Sequence, residues 1–193
     1  MRIDPTREIW WAIALVVVCV LALVSCTPTS TELIEGASPY VEVEGSDDPN
    51  SPNCYAYAIG ASVNMQPGEI SGVEVTHPND VDDVADSVMA DLRAMGFTIR
   101  KISGPNAKIE SNEWRIALMV GTSPFAFDGN GSFIYDYHFM VQTNTGQWAE
   151  KHGIGGTSIL HKSGLTPNHI SWDLGQSKGY YDSEIIYYAV GRS

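Results

Sequence analysis

Apolar and polar positions divide the chain into segments of contrasting texture. From Ile9 to Val24, "IWWAIALVVVCVLALV", the chain is unbroken in its apolarity. From Thr27 to Asn50, "TPTSTELIEGASPYVEVEGSDDPN", no period is sustained and Ser, Thr, Pro, Gly and acidic residues dominate, the texture of a tether. "SPNCYAYAIG", residues 51 to 60, predicts a short helix with Ser51 as its cap and Pro52 at the first helical position. After the turn-rich "NMQPGEISG", Val81, Val84, Val88, Leu92 and Met95 recur at helical spacing, with Asp80 as cap and Gly96 as stop. Beyond residue 96 the period shortens to that of strands in "FTIRKI", "EWRIALMVG", "FIYDYHFMVQT", "QWAEKH" and "EIIYYAVGR".

Helices that lead and strands that follow, joined by hairpin-length links, predict an α+β domain in which N-terminal helices pack on a largely antiparallel β-sheet. Glycine-rich "GIGGTS", Gly153 to Ser158, lies outside the strand-to-helix setting that a phosphate-binding loop needs and is expected to be a plain loop. The methionines on the residue 80 to 95 helix are expected to pack rather than to ligate.

Composition sharpens the picture. The 193 residues are 44% hydrophobic, enough to build a core, and 11 basic against 23 acidic residues give a net charge of -12. That balance argues against nucleic acid and against an anionic membrane patch as partners. Three cysteines, Cys19, Cys26 and Cys54, are too few and too scattered for a disulfide framework or a zinc cluster.

The apolar run follows Arg2 and Arg7 and ends in "LVSC", Leu23 to Cys26, before a polar stretch, which is the anatomy of an export signal. It is shorter than the roughly 20 residues a helix needs to cross a bilayer, yet an uncleaved anchor stays open as a second reading. "LVSC" resembles the lipobox of bacterial lipoproteins, which implies that Cys26 becomes the lipidated first residue of the mature chain. The organisation expected is therefore a signal peptide over 1–25, a lipid-anchored flexible tether over 26–50 and a folded domain over 51–193. The mature protein would then face outside the cytoplasm in the cell envelope, and Cys54 would be its one unlipidated thiol.

A thiol at a helix start invites nucleophilic chemistry, because the positive end of the helix favours the thiolate. Its partner would be a histidine, itself oriented by a third polar group. Of the five histidines, His77, His161 and His169 fall in loop-like sequence and are expected in solvent. His138 lies inside a strand, where an imidazole can be aimed. "QTNTGQW" predicts a hairpin whose loop, Asn144, Thr145 and Gly146, uses the glycine in a left-handed conformation. Residues 143 and 147 then pair and His138 opposes His152, whereas a loop one residue longer or shorter would put Lys151 or Gly153 there. Asn168 and Asp173 are rivals for the third role.

The order "NCYAYAIG", "QPGEISG", "DYHFMVQTNTGQWAEKHG" resembles that of the papain-like cysteine peptidases and amidases, most of all the NlpC-type and CHAP cell-wall hydrolases. The resemblance covers roughly residues 50 to 155. It implies a papain-like α+β fold, cleavage of a peptide or amide bond, Cys54 as nucleophile and His138 as its base. In NlpC-type enzymes a second histidine sits on the neighbouring strand, which implies His152 as the orienter. Glu69 stands where the family's turn has an Asp, and the helix-bearing insert is absent from the smallest members.

Together these features lead to an envelope lipoprotein that acts on a peptide or peptidoglycan-like substrate as a monomer, through a thiolate whose oxyanion is held by the Cys54 N–H. Tyr55, Tyr57, Tyr137 and Trp148 are candidates to line its cleft. No cofactor and no metal are expected, since the histidines lack helical or knuckle spacing for zinc. The alternative is a catalytically inactive binding or scaffolding lipoprotein on the same fold.

Overall fold

The computed structural model describes residues 38–172 and 179–192. The expected signal peptide, the lipobox-like segment with Cys26, Cys19 and the rival Asp173 lie outside the described residues. Helix α1, Cys54–Ile59, begins two residues later than its cap signal predicts: Asn53, not Ser51, is the N-cap, and its Oδ1 accepts from the Ala56 N–H at 2.9 Å. Gly60, at φ 75°, closes the helix with its N–H on the carbonyls of Ala56 and Tyr57, the left-handed ending that a side chain resists. All six residues of α1 are buried.

Helix α2, Val81–Ala94, follows the spacing read from sequence, with Asp80 as its N-cap and Val81, Val84, Val88 and Leu92 buried. Met95 departs from that stripe. It is the C-cap residue and is 37% exposed, because the helix has already ended where its apolar face would continue.

Eight strands follow: β1 Phe97–Ile102, β2 Glu113–Val120, β3 Ala126–Phe127, β4 Phe133–Ile134, β5 Tyr137–Gln142, β6 Trp148–Lys151, β7 Ser158–Leu160 and β8 Ile186–Arg192. Six of them form one sheet in the order β1-β8-β2-β5-β6-β7, and every pairing in it is antiparallel. The described residues are thus α+β, with two α-helices ahead of an antiparallel sheet. "FIYDYHFMVQT", expected as one strand, divides at Tyr135 and Asp136: β4 pairs with β3 in a small separate sheet, and β5 enters the main one.

Strand alternation sorts the side chains into two layers. Ile116, Leu118 and Val120 of β2, Phe139 and Val141 of β5, Ala149 of β6 and Tyr188 and Val190 of β8 join both helices in the larger core. Ala117, Met119, Met140, Trp148 and Tyr187 point to the other face, where Ile170, Trp172 and Tyr181 cover them. Burying one such aliphatic or aromatic side chain contributes about 1.5–3 kcal/mol, so both faces stabilise the sheet that carries the site. Among the described residues no helix is long and apolar enough to cross a membrane.

Residues 38–50, expected to be part of a free tether, lie against the domain instead. Ser38 Oγ donates to the Gln142 carbonyl at 2.6 Å, the Val43 N–H donates to Ser158 Oγ at 2.8 Å and the Gly45 N–H to Thr157 Oγ1 at 3.0 Å. Tyr40 packs edge-on against Tyr57, and both Tyr40 and Val43 rest on the larger core. These attachments are mostly hydrogen bonds of an irregular strip, which leaves no period in the sequence.

Candidate active site

The hairpin that carries His138 has the register its loop chemistry predicts. Gly146 sits at φ 82°, the Thr143 N–H donates to the Gln147 carbonyl, and Met140, Val141 and Gln142 pair with Glu150, Ala149 and Trp148. Extended by two residues, that register sets His138 against His152, whose ring centroids are 5.0 Å apart.

The two imidazoles converge on a residue the sequence reading passed over. Glu150, buried on β6, brings Oε2 to 2.7 Å from His138 Nε2 and to 3.2 Å from His152 Nε2. Its other oxygen, Oε1, lies 2.7 Å from the Nε2 of His161, a histidine expected in solvent. It is thus the Glu150 carboxylate, and not the facing imidazole of His152, that engages His138 Nε2. Burial opposes ionisation of the Glu150 carboxyl, but His138 and His152 outweigh it and hold the carboxyl well below the usual carboxylate range. Parity exposes the signal: on a strand facing His138, position 150 shares a side with 148 and 152. His161 had no such signal, because it reaches the site only through the short pairing of β7 with β6.

His138 is 1% exposed, packed beside Tyr181 and edge-on to Trp172, which fixes its ring. The carboxylate occupies Nε2 and leaves Nδ1 as the ring nitrogen it does not use. His77 is exposed in a loop and His169 is exposed at the end of the short 3-10 helix Pro167–His169, while Asn168 accepts from the Tyr187 hydroxyl.

Cys54 opens α1 as expected but in an unexpected state. It is 5% exposed, and its Sγ lies 3.7 Å from the Tyr137 carbonyl as a weak donor; no hydrogen bond joins it to an imidazole among the described residues. Burial, reinforced by the nearby Asp136 carboxylate, pushes the thiol up to about 12. The thiolate-imidazolium pair expected from the helix start is thus not the resting state. Desolvation and a neighbouring anion outweigh the dipole of a six-residue helix.

Both residues nevertheless border one cleft of about 260 Å³, together with Asn53, Gln66, Asp136, Gly153 and Tyr181. Tyr181 donates to Asp136 at 2.7 Å and Asn53 Nδ2 donates to the Met65 carbonyl at 2.6 Å, so the cleft's polar walls are held in place. Lys151, on the helix-side face of β6, spends its ammonium on the carbonyls of Gly153 and Ile154, at 2.8 and 2.6 Å. Of the candidate aromatics, Tyr137 borders the cleft, whereas Tyr55, Tyr57 and Trp148 are core residues.

The donor atoms of His138, Glu150 and His152 all lie within 4.8 Å of one another, a grouping able to hold a metal ion. Neither a protein-family model, nor a curated protein, nor a solved structure matches this chain.

Proposed function

We propose that the domain is a papain-like hydrolase of the NlpC/CHAP type that cleaves a peptide or amide bond, with a peptidoglycan-like peptide as its substrate class. The observation that carries this reading is one cleft bordered by a cysteine at a helix start and by a histidine whose far nitrogen is held by a buried carboxylate. Nucleophile, base and orienter are then Cys54, His138 and Glu150.

The resting thiol keeps its proton, so the chemistry is general-base rather than preformed-thiolate catalysis. As Sγ attacks the carbonyl carbon, its proton passes to His138 Nδ1, and the Glu150 carboxylate stabilises the imidazolium through Nε2–H. The tetrahedral oxyanion takes the Cys54 backbone N–H, and His138 returns the proton to the leaving amine. Water then attacks the thioester by the same route in reverse, freeing the acid and the thiol.

Upstream of the domain, "LVSC" supports lipidation at Cys26 and attachment to the envelope membrane. Cys26→Ala should leave a heavier, uncleaved precursor; an unchanged mass and unchanged detergent partitioning would remove the lipoprotein reading.

The hydrolase reading is tested with a thiol-directed activity probe and a panel of peptidoglycan-derived peptides on the full-length chain. Turnover should vanish in Cys54→Ala and in His138→Ala. Binding of those peptides without turnover, undiminished in Cys54→Ser, would instead favour the inactive binding lipoprotein, a reading supported by the buried, protonated thiol.

A further inference from the structure

We propose that His138, Glu150 and His152 form a binding site for a divalent transition metal of the zinc class, and that the metal-loaded form silences the hydrolase. The first half stands independently of Cys54; only the second rests on the proposed hydrolase chemistry.

Two imidazole nitrogens and one carboxylate oxygen are a donor set suited to Zn²⁺ and its neighbours. Ligand bonds of about 2.0–2.1 Å at tetrahedral angles place donor atoms roughly 3.3 Å apart. The separations here, 2.7 Å from His138 Nε2 and 3.2 Å from His152 Nε2 to the same Glu150 oxygen, would open by about 0.6 and 0.1 Å to reach that spacing, and all three donor atoms already lie within 4.8 Å of one another.

His152 supplies the most telling detail. Its Nε2 is buried and makes no hydrogen bond, although it stands 3.2 Å from Glu150 Oε2. A buried imidazole nitrogen without a bond costs about 1–3 kcal/mol, and a metal ion among the three donors would satisfy it. The His152 side chain is 25% exposed, which leaves a route for an ion and a water for the fourth position.

The surroundings match what such sites require. His161 Nε2 at 2.7 Å from Glu150 Oε1 holds the oxygen that the metal would leave free, as an outer donor does for a ligating carboxylate. His138 and Glu150 project from paired strands, with His152 the residue directly after β6, and the rings of Trp172 and Tyr181 wall off the His138 side. The net charge of -12 favours arrival of a cation.

Binding would change the chemistry of His138 through its tautomer. A metal takes the lone pair of a deprotonated Nε2, so the proton that Nε2 donates to Glu150 moves through solvent to Nδ1. A protonated Nδ1 has no lone pair with which to accept the Cys54 proton, and no net proton is gained or lost by the ring. Metal and catalysis therefore exclude each other, and the ion acts as an inhibitor rather than a cofactor.

The test is titration of the full-length chain and its Cys54→Ala variant with cobalt, followed by visible absorption, with zinc as competitor. Both proteins should bind about one cobalt per chain with nitrogen and oxygen ligation and no sulfur-to-cobalt charge-transfer band. His152→Ala should weaken binding by at least about 10-fold, and the outer-donor variant His161→Ala by roughly 10–100-fold, with circular dichroism checking that each is folded. Equal affinity in the parent and both variants, or a thiolate band lost in Cys54→Ala, would overturn the site. Where hydrolysis is measurable, zinc should abolish it in the parent; full turnover with the metal bound would overturn the silencing. Binding is read without turnover, so failure of the hydrolase reading leaves the site decided.

Discussion

Glu150 accepts from His138 at 2.7 Å with one carboxylate oxygen while its other oxygen is held at 2.7 Å by His161. A single buried anion thus joins β5, β6 and the end of β7, and its charge is maintained by the imidazoles around it. Glu150→Gln keeps the size and removes the charge, and should cost about 3 kcal/mol at pH 7, the scale of breaking a buried ion pair from one side. The sign of the pH dependence follows from the depressed carboxyl. A folded carboxyl held below its ordinary value of 4.5 contributes stability that is complete above that value and is lost as pH falls below it. Urea denaturation of parent and variant should therefore show a gap that is widest near neutrality and narrows in acid; a gap independent of pH would contradict this role.

Cys54 responds at the opposite end of the pH scale. Its thiol is raised from 9.0 to about 12, so the folded state keeps the proton after the unfolded chain has lost it. The stability this contributes is complete below about 9 and declines as pH rises towards 12. Iodoacetamide should accordingly label Cys54 slowly in the folded protein at pH 7 to 9 and quickly once urea unfolds it. Rapid labelling at pH 6 that His138→Ala abolishes would show a thiolate-imidazolium pair at rest and would reverse this assignment.

The strip of residues 38–50 packs as part of the folded domain. Beginning the chain at Asp47 removes Tyr40 from Tyr57 and Val43 from the core, together with the Ser38, Val43 and Gly45 hydrogen bonds. Two lost apolar contacts and several part-buried hydrogen bonds predict a loss of about 2–4 kcal/mol relative to a chain beginning at Ser38. Thermal unfolding of the two chains measures it. Equal midpoints would mean that the strip contributes nothing to stability.

What the sequence could and could not convey follows from the range of the interactions. The α2 stripe and the strands are local periods, and Val84, Val88 and Leu92 are buried where that period puts them. The β5–β6 register is local too, since the left-handed Gly146 fixes the loop and the loop fixes every pair behind it. Glu150 was within reach of the same logic, one parity step away. His161 was not, because its approach depends on where β7 lands after an irregular loop. The state of Cys54 was equally hidden: a helix start is a sequence feature, but burial and the nearness of Asp136 are products of the assembled fold.

Asp91 offers the sharpest test of how the cleft's outer wall is held. It is fully buried on α2 and was indistinguishable in sequence from the exposed acids around it. One of its oxygens accepts from the Gly68 N–H at 2.7 Å and the Tyr55 hydroxyl at 3.2 Å; the other accepts from the N–H groups of Ile70 and Ser71 at 3.1 and 2.7 Å. The aspartate therefore satisfies three backbone donors of the "QPGEISG" turn, which would otherwise be left facing the core. Gly68, at φ 89°, brings that turn so close that an added Cβ would meet the Val73 carbonyl at 2.1 Å, so the turn has little freedom to find other partners. Asp91→Ala should cost about 3 kcal/mol or more, because each stranded buried donor carries its own desolvation penalty. Asp91→Asn, which keeps an acceptor but offers one oxygen instead of two, should fall between the variant and the parent. Hydrogen exchange at Gly68, Ile70 and Ser71 should rise in Asp91→Ala by more than global destabilisation explains, since those amides lose their acceptor directly. Unchanged protection there, with the same loss of global stability, would mean that Asp91 acts through Tyr55 and the helix pair instead of through the turn.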